Sequence, residues 1–335
     1  MRRMPKLRQK RSLRLTAPMS KLYLGIDTSN YTTSAAITDE SGTVLESFRQ
    51  LLTVKPGERG LRQSDAVFQH IKNSESAAAS VRACVERYGG TVAAVGVSAT
   101  PTYVEGSYMP CFMTGLALAE MTAAAHGVPL HRFSHQAGHI AAALYSADAR
   151  DLAAREFAAF HVSGGTTDII SVTPDPERVI FPRTVGGTLD LNAGQLIDRV
   201  GVAMGLDFPA GREMEKLALA CTSKIPRARI SVRGIECNLS GLENKALELY
   251  ASNGDRSLTA AFVIRAVGDV ISAMLDGVYE KFGRVPVVFA GGVMSCRILR
   301  DRLSGEDRYF AEPEYSCDNA AGIAVLTQMC ECGTK

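Results

Sequence analysis

Two stretches of this chain, far apart in sequence, are built to one plan, and that repetition restricts the fold more than any other feature. Residues 21–27 (KLYLGID) read as an apolar strand ending in Gly25 and Asp27. A Ser/Thr-rich turn follows in TSNYTTSAAI. The chain then re-enters an apolar strand, and a third strand comes after the turn at residues 39–42. Residues 157–172 (FAAFHVSGGTTDIISV) repeat the order of strand, Ser-Gly-Gly-Thr-Thr turn and strand, and a charged turn at Pro174–Glu177 leads to Val179, Ile180 and Phe181. Such an echo predicts an α/β chain of two related halves, each opening with a hairpin. A Gly/Ser/Thr turn can present backbone N–H groups and hydroxyls to a phosphate, and it can equally be a plain hairpin. Two of them in two similar halves suit a nucleotide in the cleft between.

Between the echoes, helical periodicity runs over 64–88 and stops at Gly89 and Gly90. A buried strand spans Val92–Ser98, a loop ATPTYVEGSYMPCFMT covers 99–114, a small-residue helix covers Gly115–His126, and a short strand covers Val128–Phe133. Then comes FSHQAGHIAAALY, residues 133–145, with His135 and His139 four apart. On a helix that spacing puts both imidazoles on one face, within reach of one divalent metal. The same spacing also occurs on ordinary core helices with one buried and one exposed histidine.

After the second echo, residues 186–204 read as a turn and a helix carrying Asp198, and Pro209, Ala210 and Gly211 turn the chain into a short helix. Residues 221–250 look less regular, and a long helix is expected from Ser257 to Phe282. Val285–Ala290 reads as a buried parallel strand. It ends in Gly291, Gly292 and Val293 before a basic helix from Arg297, a junction where a ligand can approach a helix N-terminus closely. Asp318 and Asn319 open a final apolar helix, where Asp318 suits an N-cap or a third metal ligand.

Length and composition agree with two domains of ordinary size: 335 residues, 46% of them hydrophobic. The net charge of +2 hides seven basic residues and no acid in residues 1–20, so the rest is near −5 (2 minus 7). This tail reads as disordered or non-native, with Met19 as an alternative start, or as a nucleic-acid arm or targeting peptide. No apolar run reaches the roughly 18–20 residues of a membrane span, so no membrane is expected. Eight scattered cysteines suggest no disulfide framework and a reducing cytoplasm. The expected division is a tail at 1–20, an N-terminal half at 21–130, a metal-binding helix and crossover at 131–156, and a C-terminal half with a helical insertion at 157–335.

The motifs GIDTSNYTTSAAI, HQAGHI, VSGGTTDII, GLDFPAG, NLSGLENKA, FAGGVMSCRILR and CDNAAGIA, in that order, resemble the TsaD-like tRNA threonylcarbamoyladenosine synthases, once called glycoproteases. That family lies within the superfamily of actin, sugar kinases and heat-shock chaperone ATPases, and the resemblance runs from about residue 22 to 330. It implies a duplicated actin-like fold with a nucleotide cleft between two α/β halves. It implies metal ligation by His135, His139 and Asp318. It further implies contacts to ATP, ADP or threonylcarbamoyl-adenylate by Val162, Ser163, Gly164, Gly165, Asp198, Gly211 and Glu215, with Cys296 where the family has an asparagine. Iron is the metal the family suggests, and the ligand set also accepts zinc or manganese. The implied reaction is threonylcarbamoyl transfer to N6 of the adenosine beside the anticodon. The implied partners are tRNA, the nucleotide and other tRNA-threonylcarbamoylation proteins, with a dimer also compatible.

The chain departs from the family pattern. Ala137 stands where the family has a glutamate between the histidines. GGTLDLNAGQ places Gly187, Leu191 and Gln195 at three carboxylate positions and Asn192 at a small-residue position. TPTYVEGSYMPCF replaces a glycine-rich loop. These departures support an alternative: a divergent paralogue that binds nucleotide and metal as a regulatory or assembly partner, or that carbamoylates another acceptor. A zinc protease of HExxH type needs a glutamate where this chain has Gln136.

Overall fold

Alternation along the first strand of each half fixes the layers, because successive side chains of a strand point to opposite faces. The computed structural model describes residues 20–29, 31–54, 61–312 and 319–333; residues 1–19 of the expected tail lie outside them. In β1 (Lys21–Ser29), Leu22, Leu24 and Ile26 face one way. With Val92, Val95 and Val97 of β4 (Thr91–Thr100) they pack against α1 (Gln63–Tyr88) and α2 (Phe112–His126). Tyr23, Gly25 and Asp27 face the other way, towards α9 (Asn319–Cys332). In β6 (Phe157–Val162), Ala158, Phe160 and Val162 pack against α7 (Arg256–Phe282). Phe157 and Ala159 face α3 (His135–Ser146) and α9.

The echo in sequence is an echo in topology. The first sheet joins β1, β2 (Thr32–Thr38), β3 (Val44–Leu51), β4 and β5 (Leu130–Ser134) in the order β3-β2-β1-β4-β5. The second joins β6, β7 (Thr167–Asp175), β8 (Val179–Thr188), β9 (Ser231–Arg233), β10 (Glu236–Asn238), β11 (Val287–Ala290) and β12 (Arg308–Phe310) in the order β12-β11-β6-β7-β8-β10-β9. Its core, β8-β7-β6-β11-β12, repeats the first sheet strand for strand. In both, the hairpin strand pairs antiparallel and the crossover strand pairs parallel. The β9–β10 hairpin is extra and forms the far edge. The remaining helices, α4 (Ala193–Ala203), α5 (Gly211–Leu219), α6 (Ser240–Asn253) and α8 (Arg297–Leu303), gather with α7 on the outer face of the second sheet.

The central layer, α3 and α9 between the two sheets, depends on residues without bulk. A Cβ on Gly25 would land on the backbone of Ala320 and Ala324, and one on Gly96 would strike Thr327. A Cβ on Gly322 would meet the Gly138 carbonyl and lie 2.8 Å from Ala142 N, so α3 and α9 cross almost backbone to backbone. Although α9 follows the second half in sequence, it seats on the first sheet, where the Thr38 hydroxyl donates to the Ala324 carbonyl at 3.3 Å. Ser134 caps α3 by accepting from Ala137 N at 3.1 Å.

Several elements differ from the sequence reading. Residues 221–250 contain β9, β10 and the two-strand-plus-helix run into α6, and the three-residue β12 was not expected. α6 starts at Ser240 because Asp190 accepts from Leu239 N at 2.8 Å and from the Ser240 hydroxyl at 2.6 Å, a long-range cap that local periodicity cannot show. The expectation that no apolar stretch could span a membrane also needs amending. α7 is long and apolar enough by composition, and 72% of that stretch is buried inside the fold. Replacing Gly322 with Ala is expected to lower unfolding stability by about 1–3 kcal/mol, since backbone on both sides cannot yield. Gly241→Ala, facing open space on α6, is expected to be neutral or mildly stabilising in the same denaturant titration.

Candidate functional site

The period-two faces of the two sheets converge on the start of α3. Asp27 points inward from β1, and His161, next on β6 after Phe157 and Ala159 on the same face, points inward from the opposite sheet. The helix between them carries His135 and His139, whose ring centroids lie 4.5 Å apart. His139 and His161 are 4.9 Å apart, so three imidazoles run in a row from one half to the other.

Asp27 is fully buried. Burial alone would raise the pKa of its carboxyl. The His135 imidazole, and hydrogen bonds from His135, Ser98 and Ser29, outweigh that and hold it below the usual carboxylate range. His135 Nδ1 lies 2.8 Å from Asp27 Oδ2, Ser29 N donates to Oδ1 at 2.9 Å, and the Ser98 hydroxyl donates to Oδ2. The Asp27 carboxylate fixes the His135 ring through Nδ1, which leaves Nε2 as the nitrogen turned to another group. Burial, then the nearby charge of His135, pushes His161 down to about 4 and His139 well below its ordinary value. Both are therefore neutral donors near pH 7.

Asn319, the first described residue of α9, stands against this cluster. Its Nδ2 lies 3.1 Å and 3.2 Å from the two ring nitrogens of His135, and among the described residues its buried Oδ1 has no hydrogen-bond partner. Asp318, the expected third ligand, falls outside the described residues. Among the described residues, no group of three or more His, Cys, Asp or Glu is arranged as a ready metal cage. Ala137, between the two histidines in sequence, is fully buried in the core rather than turned to the cluster.

The expected nucleotide residues line the adjoining rim of the second half. Val162 ends β6 directly after His161, and residues 163–166 form the turn into β7, closed by Ser163 N donating to the Thr166 carbonyl at 2.8 Å. Gly164 and Gly165 are exposed with open space above them. The start of α4 braces the turn: Gly194 N donates to the Ser163 carbonyl at 3.2 Å, and Asn192 Nδ2 donates to the Gly165 carbonyl at 3.0 Å. On the other side Gly291, at φ 96°, presses on the Val162 backbone, an approach that only glycine permits.

Asp198 and Glu215 sit further along this rim and are partly engaged by the backbone. Asp198 Oδ1 accepts from Ala210 N at 2.8 Å, just before Gly211 opens α5. Glu215 Oε1 accepts from Arg297 N at 2.6 Å, which ties α5 to the start of α8. Cys296 lies at that junction, its thiol pushed up to about 11, mainly by burial. The departures noted in the sequence serve the fold here. Leu191 is buried in the core, and Gln195 Oε1 accepts from Asn192 N at 3.4 Å as the cap of α4. Gly187, at φ 150°, lets β8 close against the Thr167 and Asp168 backbone.

Sequence reasoning therefore found His135 and His139, and the structure brings them together. It missed the Asp27 anchor and His161. Strand alternation places both on a definite face, and only the fold shows that this face meets α3.

Acid titration tests this burial. The folded pKa of His161 is depressed, so the unfolded chain binds more protons between about pH 4 and 6.5 and stability falls as pH drops through that window. The loss expected in chelator-treated protein is roughly 3 kcal/mol. His161→Leu is expected to flatten this slope in urea titrations at stepped pH.

A family model described as TsaD, tRNA N6-adenosine threonylcarbamoyltransferase, matches residues 59–325. The tRNA N6-adenosine threonylcarbamoyltransferase of Streptococcus pneumoniae (strain Taiwan19F-14) is 32% identical over 270 residues, covering 75% of this chain and 76% of its own. That of Streptococcus gordonii is 31% identical over 274 residues, covering 76% and 77%. Among solved structures, HypF of T. kodakarensis superposes with a TM-score of 0.56 at 12% identity, over 95% of this chain and 48% of HypF, so this chain spans about half its length. A ROK family protein from Streptococcus pneumoniae TIGR4 gives 0.50 at 11% identity, over 93% and 99%. At these identities the structural likeness establishes the shared actin and sugar-kinase type of fold.

Proposed function

Because this chain belongs to the TsaD family of tRNA N6-adenosine threonylcarbamoyltransferases, we propose that it transfers a threonylcarbamoyl group from an adenylate to N6 of the adenosine beside the anticodon of tRNA. In this reading a divalent metal is held by His135, His139 and Asp318, and the nucleotide lies along the β6–β7 turn. The observation that carries it is the adjacency of two features: the His135–His139 pair touches His161, and His161 is followed directly by Val162 and the exposed Ser163-Gly164-Gly165 turn.

The donor set fits a metal. His135 is oriented through Nδ1 by a buried carboxylate, the arrangement that commonly backs a metal-ligating imidazole. His139 is kept neutral, and beside them Asn319 Oδ1 is a buried acceptor that no described residue pairs. When bound, the metal would supply Lewis-acid polarisation of the carbamoyl oxygen and charge to hold phosphate oxygens. The chain's own residues do the rest. The exposed Gly164-Gly165 backbone gives a phosphate close access, and α4 and Gly291 hold that turn rigid. Asp198 and Glu215 fix the α4–α5 and α5–α8 corners that bound the nucleoside end.

A second reading keeps the nucleotide and metal but not the original transfer, as a regulatory partner or with a different acceptor. The observation favouring it is that Leu191, Gln195, Asp198 and Glu215 are wholly or partly given to packing and backbone capping.

The direct test is metal analysis of purified protein together with tRNA modification in a strain lacking any other copy. His135→Ala, His139→Ala and Asp318→Ala are expected to lose bound metal and the modified nucleoside. Asp27→Asn is expected to weaken metal affinity about 10–100-fold while the protein stays folded. Normal modification by the His135→Ala and Asp318→Ala proteins would sink the metal-assisted reading, and no modification by the wild-type chain would sink the transferase reading. Metal and nucleotide binding without any modification by the wild-type chain would select the second.

A further inference from the structure

The far edge of the second sheet carries charge that nothing in the fold uses. Residues 224–233 read KIPRARISVR and contain Lys224, Arg227, Arg229 and Arg233 with no acid. The apolar residues among them, Ile225, Ala228, Ile230 and Val232, pack onto the core of the second half. The four cations are exposed. Among the described residues none of the four forms an ion pair, whereas neighbouring Arg199 and Lys245 pair with Glu243 and Glu248. Exposure alternates along the run, with Arg227, Arg229 and Arg233 exposed and Ala228, Ile230 and Val232 half-buried between them.

The edge is held firmly and at a defined place. The β9–β10 turn at Gly234 is seated on α7 so closely that a Cβ on Gly277 would lie 3.0 Å from Gly234 Cα. Pairing across the sheet runs His161 to Asp168, Asp168 to Gly187, Gly187 to Glu236, and Glu236 to Arg233. Arg233 is thus level with His161 and four strand spacings away, about 19 Å. A cleft of about 530 Å³ between this segment and α6 is lined by Arg227 and Arg229 on one side and the Lys245–Glu248 pair on the other.

We propose that this cationic edge, Lys224 to Arg233, is the surface on which the RNA substrate's phosphate backbone docks while its target base reaches the histidine cluster. The proposal rests on the reading that the chain acts on tRNA. Successive arginines facing solvent, with Arg233 on β9 and Arg227 and Arg229 in the segment leading into it, match a polyanion rather than a single anion, and the distance of Arg233 from His161 leaves room for the width of a nucleic-acid stem. Charges on an edge strand also discourage sheet-to-sheet association, and the experiment separates that role.

The test measures tRNA binding by fluorescence anisotropy across a salt series, using the full chain. Removing three cations together (R227Q/R229Q/R233Q) is expected to weaken binding roughly tenfold or more at 0.1 M salt and to make the log–log salt slope shallower by about 2–3. The charge-preserving set (R227K/R229K/R233K) is expected to bind nearly as the wild type. Wild-type affinity and slope in the glutamine set would overturn the proposal. So would a glutamine set that only self-associates in sedimentation while its monomer binds tRNA normally. His139→Ala serves as the separating control, because it is expected to bind tRNA normally and transfer nothing. If the wild-type chain binds tRNA through this edge but modifies none, the docking surface stands and the transferase reading falls. If the wild type binds no tRNA at any salt, both fall.

Discussion

The crossing of α3 over α9 governs this molecule. Gly138 and Gly322 bring the two helix backbones into near contact. Each helix then serves a different sheet as well as its partner: α9 lies on β1 and β4 through Gly25 and Gly96, and α3 shares a core with β6 and β11. A side chain at Gly138 would press only on Ile323 at 3.1 Å and the Asn319 carbonyl at 3.2 Å, whereas one at Gly25, Gly96 or Gly322 would wedge these layers apart. Because interiors are packed as tightly as organic crystals, such a wedge cannot be absorbed locally. The same closeness sets the functional geometry, since it places the first turn of α3 where Asp27 and His161 can reach it from opposite sheets.

The electrostatics of that meeting point follow from burial. A lone carboxylate at the depth of Asp27 would lose several kcal/mol of hydration. Four interactions compensate, and one of them fixes which nitrogen of His135 is left free. Further along the row, among the described residues no such anion lies within hydrogen-bonding distance of His139 or His161, and burial keeps both uncharged. One anion at one end and neutral nitrogens at the other make a graded site, suited to accepting positive charge. The nucleotide rim differs in character. Its turn is exposed and supported from behind, while its carboxylates are tied to backbone amides.

Much of this was legible in the sequence where the cause is local. Turn chemistry announced both hairpins, and the echo between them foretold two sheets with matching strand order. The histidine spacing announced a shared face on α3. What stayed hidden depends on distance along the chain. Asp27 and His135 are 108 residues apart, and nothing near either one signals the bond between them. His161 could not be singled out until it was known which face of β6 meets α3. The start of α6 is set by Asp190, 50 residues upstream, so the stretch around it reads as irregular. The cationic run at 224–233 was visible as letters, yet the net negative charge of the chain beyond the tail masked it until the fold showed those side chains together at one edge.

The placement of α9 has a consequence for how the molecule comes into being. The helix that covers the inner face of the first sheet is made from residues 319–332, far downstream of the strands it covers. During synthesis β1, β2 and β4 emerge early, but Tyr23, Gly25 and Asp27 have no covering layer until residues 319–332 arrive. The first half therefore cannot finish as an independent unit ahead of the second, in contrast to the usual domain-by-domain order. Its apolar inner face must wait, exposed or sheltered by other proteins, until residues 319–332 have been made. Completion of the histidine cluster waits with it, so the site cannot exist on a partial chain.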